Sequence, residues 1–535
     1  MVPKLPVFQN QENGLFLGTR GSRSRGPVRC GLAGLLMGAC LLGSCENPGT
    51  VVWKTIPVTL TPRQAVSATS ANSYSNLAGV SMDSAGNLYV SGALGSGAVY
   101  DFGAGAFATL SNGNSNSVLV KYNSSGTALW SQTTTNEQFD NLFLGMATDS
   151  AGNSYVAGYA RTNGSLLQYG NAVSFVPSSS SPWELVMVKF DASGAAQWIS
   201  APTSSNTSVG YGAAVDGSGN SYLAGIIEWN GAYTIGSSAG GSVTAIGTNS
   251  SDYSNNNGVL IKYDPSGIPV WAQTPPSGGL ATCYQGITTD PSGNIVVSGW
   301  FSGTGGLQQD FGNGQVATGG WQGATPQNAL VVKYDTNGLT QWVRTTGPGA
   351  PGISFFTSVC SDAAGNLYAA GAITGPGTYD FGNGQAVTAS ISGLNGVVVK
   401  YSPAGTTLWA RTVGSGSVVT QFNGVACDSS GNVAAAGTIT NAGTADFGLG
   451  RVVTSLNIGS NALLVRYDSS GKTTSASTVP SNSDSSEYKS VFMDSQGNVY
   501  AVGDFSGSSP LSLSGTVSVP IAFPGNQNAL IVKYH

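Results

Sequence analysis

The chain reads as an all-β protein, a seven-bladed β-propeller with four-stranded blades whose last blade is closed by an N-terminal strand. Three observations predict this: a turn motif that recurs seven times, a second strand motif that recurs with it, and a half-repeat at the beginning that matches the piece missing at the end. Seven four-strand units at a spacing of about 67 residues are what a propeller needs, because each blade buries its faces only against its neighbours.

The first motif is an apolar strand, then Asp-x-x-Gly-Asn or a one-residue-longer variant, then a second apolar strand ending in Gly. It begins at Asp83, Asp149, Asp216, Asp290, Asp362, Asp428 and Asp494. Asp accepts backbone N–H bonds in a tight turn, Gly supplies positive φ, and Asn tolerates strained neighbouring geometry, so each motif is a hairpin joining strands A and B. Alternation on both sides, as in Val80 and Met82 and then Leu88 and Val90, gives strand periodicity.

The second motif is a Val/Leu run ending in a basic residue and an aromatic one, then a turn with Gly, then Trp four residues after that Gly. The basic residues are Lys121, Lys189, Lys262, Lys333, Lys400, Arg466 and Lys533. The Gly-to-Trp offset is the same in Gly126/Trp130, Gly194/Trp198, Gly267/Trp271, Gly338/Trp342 and Gly405/Trp409, whereas Gly471 is followed by Ser475. This is a second hairpin, strand C ending in the basic residue and strand D carrying Trp. Lys and its aromatic neighbour alternate, so a Lys stem packed between blades with its ammonium near a turn carboxylate is the expected arrangement.

Repeat seven stops at Lys533-Tyr534-His535 without its Gly or Trp. Gly49 and Trp53 show the missing offset, so an N-terminal strand D is expected to complete the last blade, with Trp53 placed as Trp130 is in the first.

Before that strand, Lys4, Arg20, Arg23, Arg25 and Arg29 precede an apolar run from Gly31 to Leu42, too short to span a bilayer but suited to a signal peptide. The run ends in Leu42-Gly43-Ser44-Cys45, which looks like a bacterial lipobox; an ordinary signal peptide whose Gly43 and Ser44 fit the peptidase is the other reading. The expected organisation is a signal at 1–44, a tether at 45–49 after a lipidated Cys45, and a propeller at 50–535. Membrane attachment through Cys45 and a location in the bacterial cell envelope follow as expectations, with the A–B and C–D turns toward the bilayer because the tether is so short. The remaining cysteines, Cys283, Cys360 and Cys427, read as small core residues and not as a disulfide framework or a metal site.

The repeats resemble the SBBP family, bacterial seven-bladed propeller repeats often found in lipoproteins and large exported proteins, and more distantly NHL propellers. The resemblance covers nearly all the chain after Cys45. It implies the fold far more firmly than an activity, and no catalytic residues carry over.

Chemistry is sparse. The one histidine is His535, so Ser-His-Asp and Cys-His catalysis and His-based zinc sites lack their parts. Most Asp residues sit in turns, including a recurring Asp-Phe-Gly at Asp101, Asp310, Asp380 and Asp446 that reads as a turn with Phe packed down. Asp140, Asp252, Asp484 and Asp504 have no such position, and a carboxylate pair among them and the few Glu, such as Glu137, Glu184 and Glu228, is the remaining route to hydrolysis. No cofactor or metal is expected. Removing the N-terminal 44 residues leaves 15 basic against 24 acidic residues, which argues against nucleic acid. A monomeric binding module for a protein or glycan partner is the leading expectation; an envelope hydrolase or lyase with a His-free site, or a structural surface component, are the alternatives. Four Trp fall outside the repeat: Trp183, Trp229, Trp300 and Trp321. With Tyr233 and Tyr253 they either form an aromatic ligand patch on the B–C loops or cover insertions as small local cores.

Overall fold

The protein is all-β, with no helix among the described residues. A computed structural model describes residues 53–54 and 74–535, apart from 96–98, 111–114, 136–139, 162–165, 171–172, 177–182, 204–205, 250–254, 322, 324–326, 457–458, 480–484, 509, 515–516, 520 and 522. The signal, Cys45, the tether and Tyr253 lie outside the described residues.

Antiparallel sheets follow one another along the chain in strand order A-B-C-D, the propeller pattern. Strand A is Ser75–Met82 in the first sheet, then Asn141–Thr148, Ser208–Val215, Thr282–Thr289, Ser354–Ser361, Val419–Cys427 and Ser486–Met493. The matching B strands begin at Leu88, Ser154, Ser221, Ile295, Leu367, Val433 and Val499. Each strand A packs on strand A of the next sheet, and Ser486–Met493 lies against Ser75–Met82.

The A–B turn is built as the motif requires, with one addition. In the first sheet Asp83 Oδ1 accepts the N–H groups of Ala85 and Asn87 at 3.0 and 2.9 Å. Its Oδ2 accepts the Asn87 amide at 2.7 Å and the Tyr89 hydroxyl at 3.1 Å. The Asn-to-Asp side-chain bond recurs in all seven turns, so Asn is there as a donor.

Neighbouring sheets are stapled by the second motif. The Lys121 ammonium lies over the Tyr89 ring, 3.7 Å from Asp83, and donates to the Ala192 carbonyl in the C–D turn of the next sheet at 3.1 Å. Lys189, Lys262, Lys333 and Lys400 each reach the corresponding carbonyl of their own neighbour. Trp130, Trp342 and Trp409 do the same: Trp342 Nε1 donates to Pro403 O, and its ring lies against Gly405. Gly405 has φ +81°, and a Cβ there would stand 2.8 Å from that ring, so the turn glycine is needed twice, for its backbone and for its bareness.

A third staple sits at the other end of the sheets. The first residue of each strand A, or the second in the sixth sheet, accepts a backbone N–H from strand C of the preceding sheet. The pairs are Asn141 with Ser117, Ser208 with Leu185, Thr282 with Gly258, Ser354 with Ala329, Thr420 with Gly396 and Ser486 with Ala462. The seventh bond, Ala529 N–H to Ser75 Oγ at 2.9 Å, joins the last sheet to the first. The Asp-Phe-Gly segments are turns, as expected: Gly103 N–H donates to Asp101 Oδ1, and Phe102, Phe311, Phe381 and Phe447 are buried.

Three features differ from the sequence reading. The B–C hairpin of the third repeat, Gly231–Ser237 with Ser242–Gly247, pairs onto strand D of the second sheet, which therefore has six strands. It covers an edge that would otherwise be open. Trp53–Lys54 does pair with the strand C that ends in Tyr534, but Trp53 faces Tyr534, whereas Trp130 faces Lys121. No hairpin turn joins these two strands, and a turn is what sets register elsewhere. Finally, Cys360 and Cys427 are a disulfide between strands A of the fifth and sixth sheets, with Cα atoms 6.1 Å apart. The expectation of two separate core thiols is corrected: residues at the ends of adjacent A strands, one position apart in the repeat, stand close enough to bridge. Cys283 is a buried free thiol.

Candidate functional site

Every strand A carries a β-bulge three residues after the residue that bonds to the preceding sheet, between positions where the pairing with strand B shifts register. A bulge leaves one residue unpaired and re-aims its side chain. The seven bulge residues are Ala78, Leu144, Tyr211, Gln285, Thr357, Asn423 and Lys489, all half-buried. With the residues two before them in the same strands they form the least repetitive position in an otherwise repetitive scaffold.

Their chemistry is divided. In sheets two to five, Leu142, Leu144, Val209, Tyr211, Cys283 and Phe355 belong to one apolar cluster, together with Tyr159, Trp183 and Trp300. In sheets six and seven the same positions hold Gln421, Asn423, Glu487 and Lys489. Gln421 donates to Asn423 Oδ1 at 2.9 Å, and Asn423 donates to Tyr488 O at 2.8 Å.

Glu487 and Asp504 face each other across strands A and B of the seventh sheet. Lys489 Nζ is 3.1 Å from Glu487 Oε1 and also pairs with Asp504 Oδ2. Asp504 is 5% exposed, and burial pushes its carboxyl up to about 6, the Lys489 ammonium opposing this and the Glu487 charge adding to it. Burial works against the Lys489 charge as well, but the two carboxylates outweigh it and hold the ammonium above its usual value.

The cluster continues into the first two sheets. The Tyr74 hydroxyl is 2.5 Å from Ser115 Oγ, and Ser115 N–H donates to Asp140 Oδ1 at 3.1 Å. Tyr74 is raised mainly by burial and further by Asp140, while its Ser115 bond and Lys489 lower it. Tyr159, raised by burial and by the neighbouring Tyr74 and Asp140, packs edge-on against Trp183 with centroids 4.7 Å apart. Charged and apolar halves therefore meet through Tyr74 and Tyr159.

The aromatic residues singled out in the sequence fall in different places. Tyr233 is fully buried, its hydroxyl donating to Glu228 O. Trp300 lies within strand B of the fourth sheet, opposite Cys283, at 8% exposure. Trp183 and Trp321 are half-buried, and Trp229 stands 52% exposed. Trp229 also has φ +67° directly after strand B, where the sixth sheet has Asn441 at φ +76°. Asn visits that region at little cost; Trp does so at roughly 1–2 kcal/mol. A strained, exposed Trp is not a packing solution.

Glu487 and Lys489 were not singled out in the sequence. Superposing the seven A strands would have found them, since no other strand A carries a charge at either position. Among the described residues no three His, Cys, Asp or Glu side chains are grouped to hold a metal ion.

Comparison with known proteins adds little beyond the fold class. No protein-family model matches the chain. An uncharacterized WD repeat-containing protein, L264 of Acanthamoeba polyphaga mimivirus, is 35% identical over 83 residues, 16% of this chain and 6% of that relative. Among solved structures, the polysaccharide lyase Uly1 is 9% identical with a TM-score of 0.38, covering 90% of this chain and 95% of its own. A protein of unknown function from Dyadobacter fermentans is 10% identical, TM-score 0.36, with 87% and 94% covered. The intramolecular trans-sialidase from Ruminococcus gnavus is 9% identical, TM-score 0.34, with 90% and 97% covered. At such scores the likenesses carry no argument about what this chain binds.

Proposed function

We propose that the chain is a closed seven-bladed β-propeller of the SBBP type, exported and held at the cell envelope through Cys45, which binds a glycan on the face where the A strands begin. The observation that carries the binding reading is the mixture at the inner positions: an apolar and aromatic cluster drawn from sheets two to five, with Gln285 and Thr357 at two of its bulges, shares this end of the sheets with amides and charges in sheets six and seven. Saccharides have apolar faces and hydroxyl rims, so a site with both is suited to them. Trp229 follows a strand B and Trp183 and Trp321 precede strands C, at the end where the A strands begin, and Trp300 belongs to the apolar cluster there, whereas Tyr233 is buried in another cluster.

The cyclic order of A-strand contacts and the Ala529–Ser75 bond support the closed ring. The Cys360–Cys427 bridge supports export, since disulfides persist in oxidising compartments. The test is a glycan array probed with the unlipidated Cys45→Ala protein. Selective binding weakened by Trp229→Ala and Asn423→Ala supports the reading; no glycan bound, or binding indifferent to both variants, removes it.

One observation favours a second reading, an envelope hydrolase: Asp504, with its carboxyl near 6, lies opposite Glu487. Turnover in a glycosidase panel that Glu487→Gln or Asp504→Asn abolishes would put it first.

A further inference from the structure

Glu487, Lys489 and Asp504 place two carboxylates on one ammonium, so with all three ionised the group carries one uncompensated negative charge. The two acids are not equivalent. The Asp504 side chain is 7% exposed and that of Glu487 is 34%, so the carboxylate that a ligand can reach is Glu487.

Among the described residues a further cation, Arg161, stands beside Asp140, its backbone N–H donating to the Asp140 carbonyl at 2.8 Å, while Glu487 has Lys489 as its ion-pair partner. Strand A of the sixth sheet offers the neutral amides of Gln421 and Asn423, and strand A of the first offers Asn76 and Ala78. The segments before the first two A strands bring Tyr74, held neutral by a raised pKa, and Asp140, a further acid. Lys489 is itself committed to both carboxylates. Next to this group, reached through Tyr74 and Tyr159, is the apolar cluster that includes Leu144, Tyr211 and Trp183, an independent feature with no use for a charged group. A ligand filling this space has to present an apolar face to one side and a positive nitrogen to the other.

Resting on the glycan-binding reading, we infer that the ligand is an amino sugar in its protonated, non-acetylated form, whose ammonium is received by Glu487 while the sugar face lies on the aromatic wall. The same geometry disfavours uronates and sialic acids at this position, since their carboxylates would meet Glu487.

The test compares two ligands that differ only at the nitrogen. Binding of a glucosamine tetramer and of its fully N-acetylated counterpart to the Cys45→Ala protein is measured by calorimetry near pH 7, above the range in which Asp504 holds its proton and where part of the free amine is still protonated. The glucosamine tetramer is expected to bind about tenfold tighter, the effect of one charge-assisted hydrogen bond. Glu487→Gln should erase the difference, with the unfolding midpoint and circular dichroism confirming a folded variant. Because the discrimination is first read on the unsubstituted protein, misfolding of the variant does not obscure it. Equal binding of the two tetramers would overturn the inference and leave the glycan reading standing. Binding of neither would overturn both, as would binding of a lysine-rich peptide in their place.

Discussion

The two ends of the sheets obey different rules. At the turn end every repeat places Asp, Asn, Gly and a basic residue alike, and most often Trp, and these side chains pack or bond within their own turn or onto the next sheet. At the end where the A strands begin, only the residue that bonds to the preceding sheet keeps its role, and three residues further along the side chains range from Ala78 to Lys489. Repetition holds where an error would loosen a joint. Variety is confined to positions where the scaffold asks only for a bulge.

If the turn end is purely structural, damage there should cost stability. The largest effect is expected from deleting residues 46–54, which removes the only strand on the outer edge of the seventh sheet among the described residues. The unfolding midpoint should fall by roughly 10 °C or more, given about 2–4 °C for each kcal/mol in a chain of moderate size. A shift within error would mean that the Trp53 pairing contributes nothing. Next is Trp409→Ala: this ring is 5% exposed and covers Gly471, and its loss should destabilise by about 3–5 kcal/mol in denaturant titration. The same substitution at Trp229 should change stability by less than about 0.5 kcal/mol and weaken ligand binding instead. Equal losses at both residues would erase the distinction between the two ends.

Cys360→Ser should cost about 4 kcal/mol, the loop-closure effect expected for a bridge of sequence separation 67. Thiol titration of the denatured Cys45→Ala protein lacking its first 44 residues should find one free thiol, from Cys283; three would mean that no bridge forms. The smallest effect is a pH dependence. The folded Asp504 carboxyl, raised by burial to about 6, binds its proton more tightly than in the unfolded chain. It therefore favours the fold below its ordinary carboxylate range, and that contribution is lost as the pH rises through about 6. Asp504→Asn should flatten stability across this interval, and an unchanged slope would assign the dependence elsewhere.

Much of this was legible in the chain. The seven Asp turns and the Lys and Trp positions could be read because they repeat, and a repeated residue announces a repeated contact. What could not be read was which partner each residue takes. The fixed Gly-to-Trp offset looked like a feature of a single hairpin, yet Gly405 sits under Trp342 of the preceding sheet. Cys360 and Cys427 looked like core thiols because their neighbours in the repeat are Ser, Ala or Thr, and a spacing of one repeat was not taken as contact. The aromatic residues were grouped by loop, but Tyr233 and Trp300 turn inward where strand alternation buries them. The Glu487–Lys489–Asp504 group depends on a bulge, which shifts the alternation by one residue and so hides from a period-two reading.

The pairing of Trp53 with Tyr534 also sets an order in time. The other sheets are assembled from neighbouring stretches of chain and can form as those stretches become available, whereas the seventh needs one strand from each end. Contacts so distant in sequence are slow to make. Until that strand arrives, the outer edge of Gln527–Tyr534 is a bare template that another copy could occupy. A chain that folds as it is synthesised must therefore keep Trp53–Lys54 waiting until Gln527–Tyr534 is available, so the slowest step in folding is the pairing of those two strands.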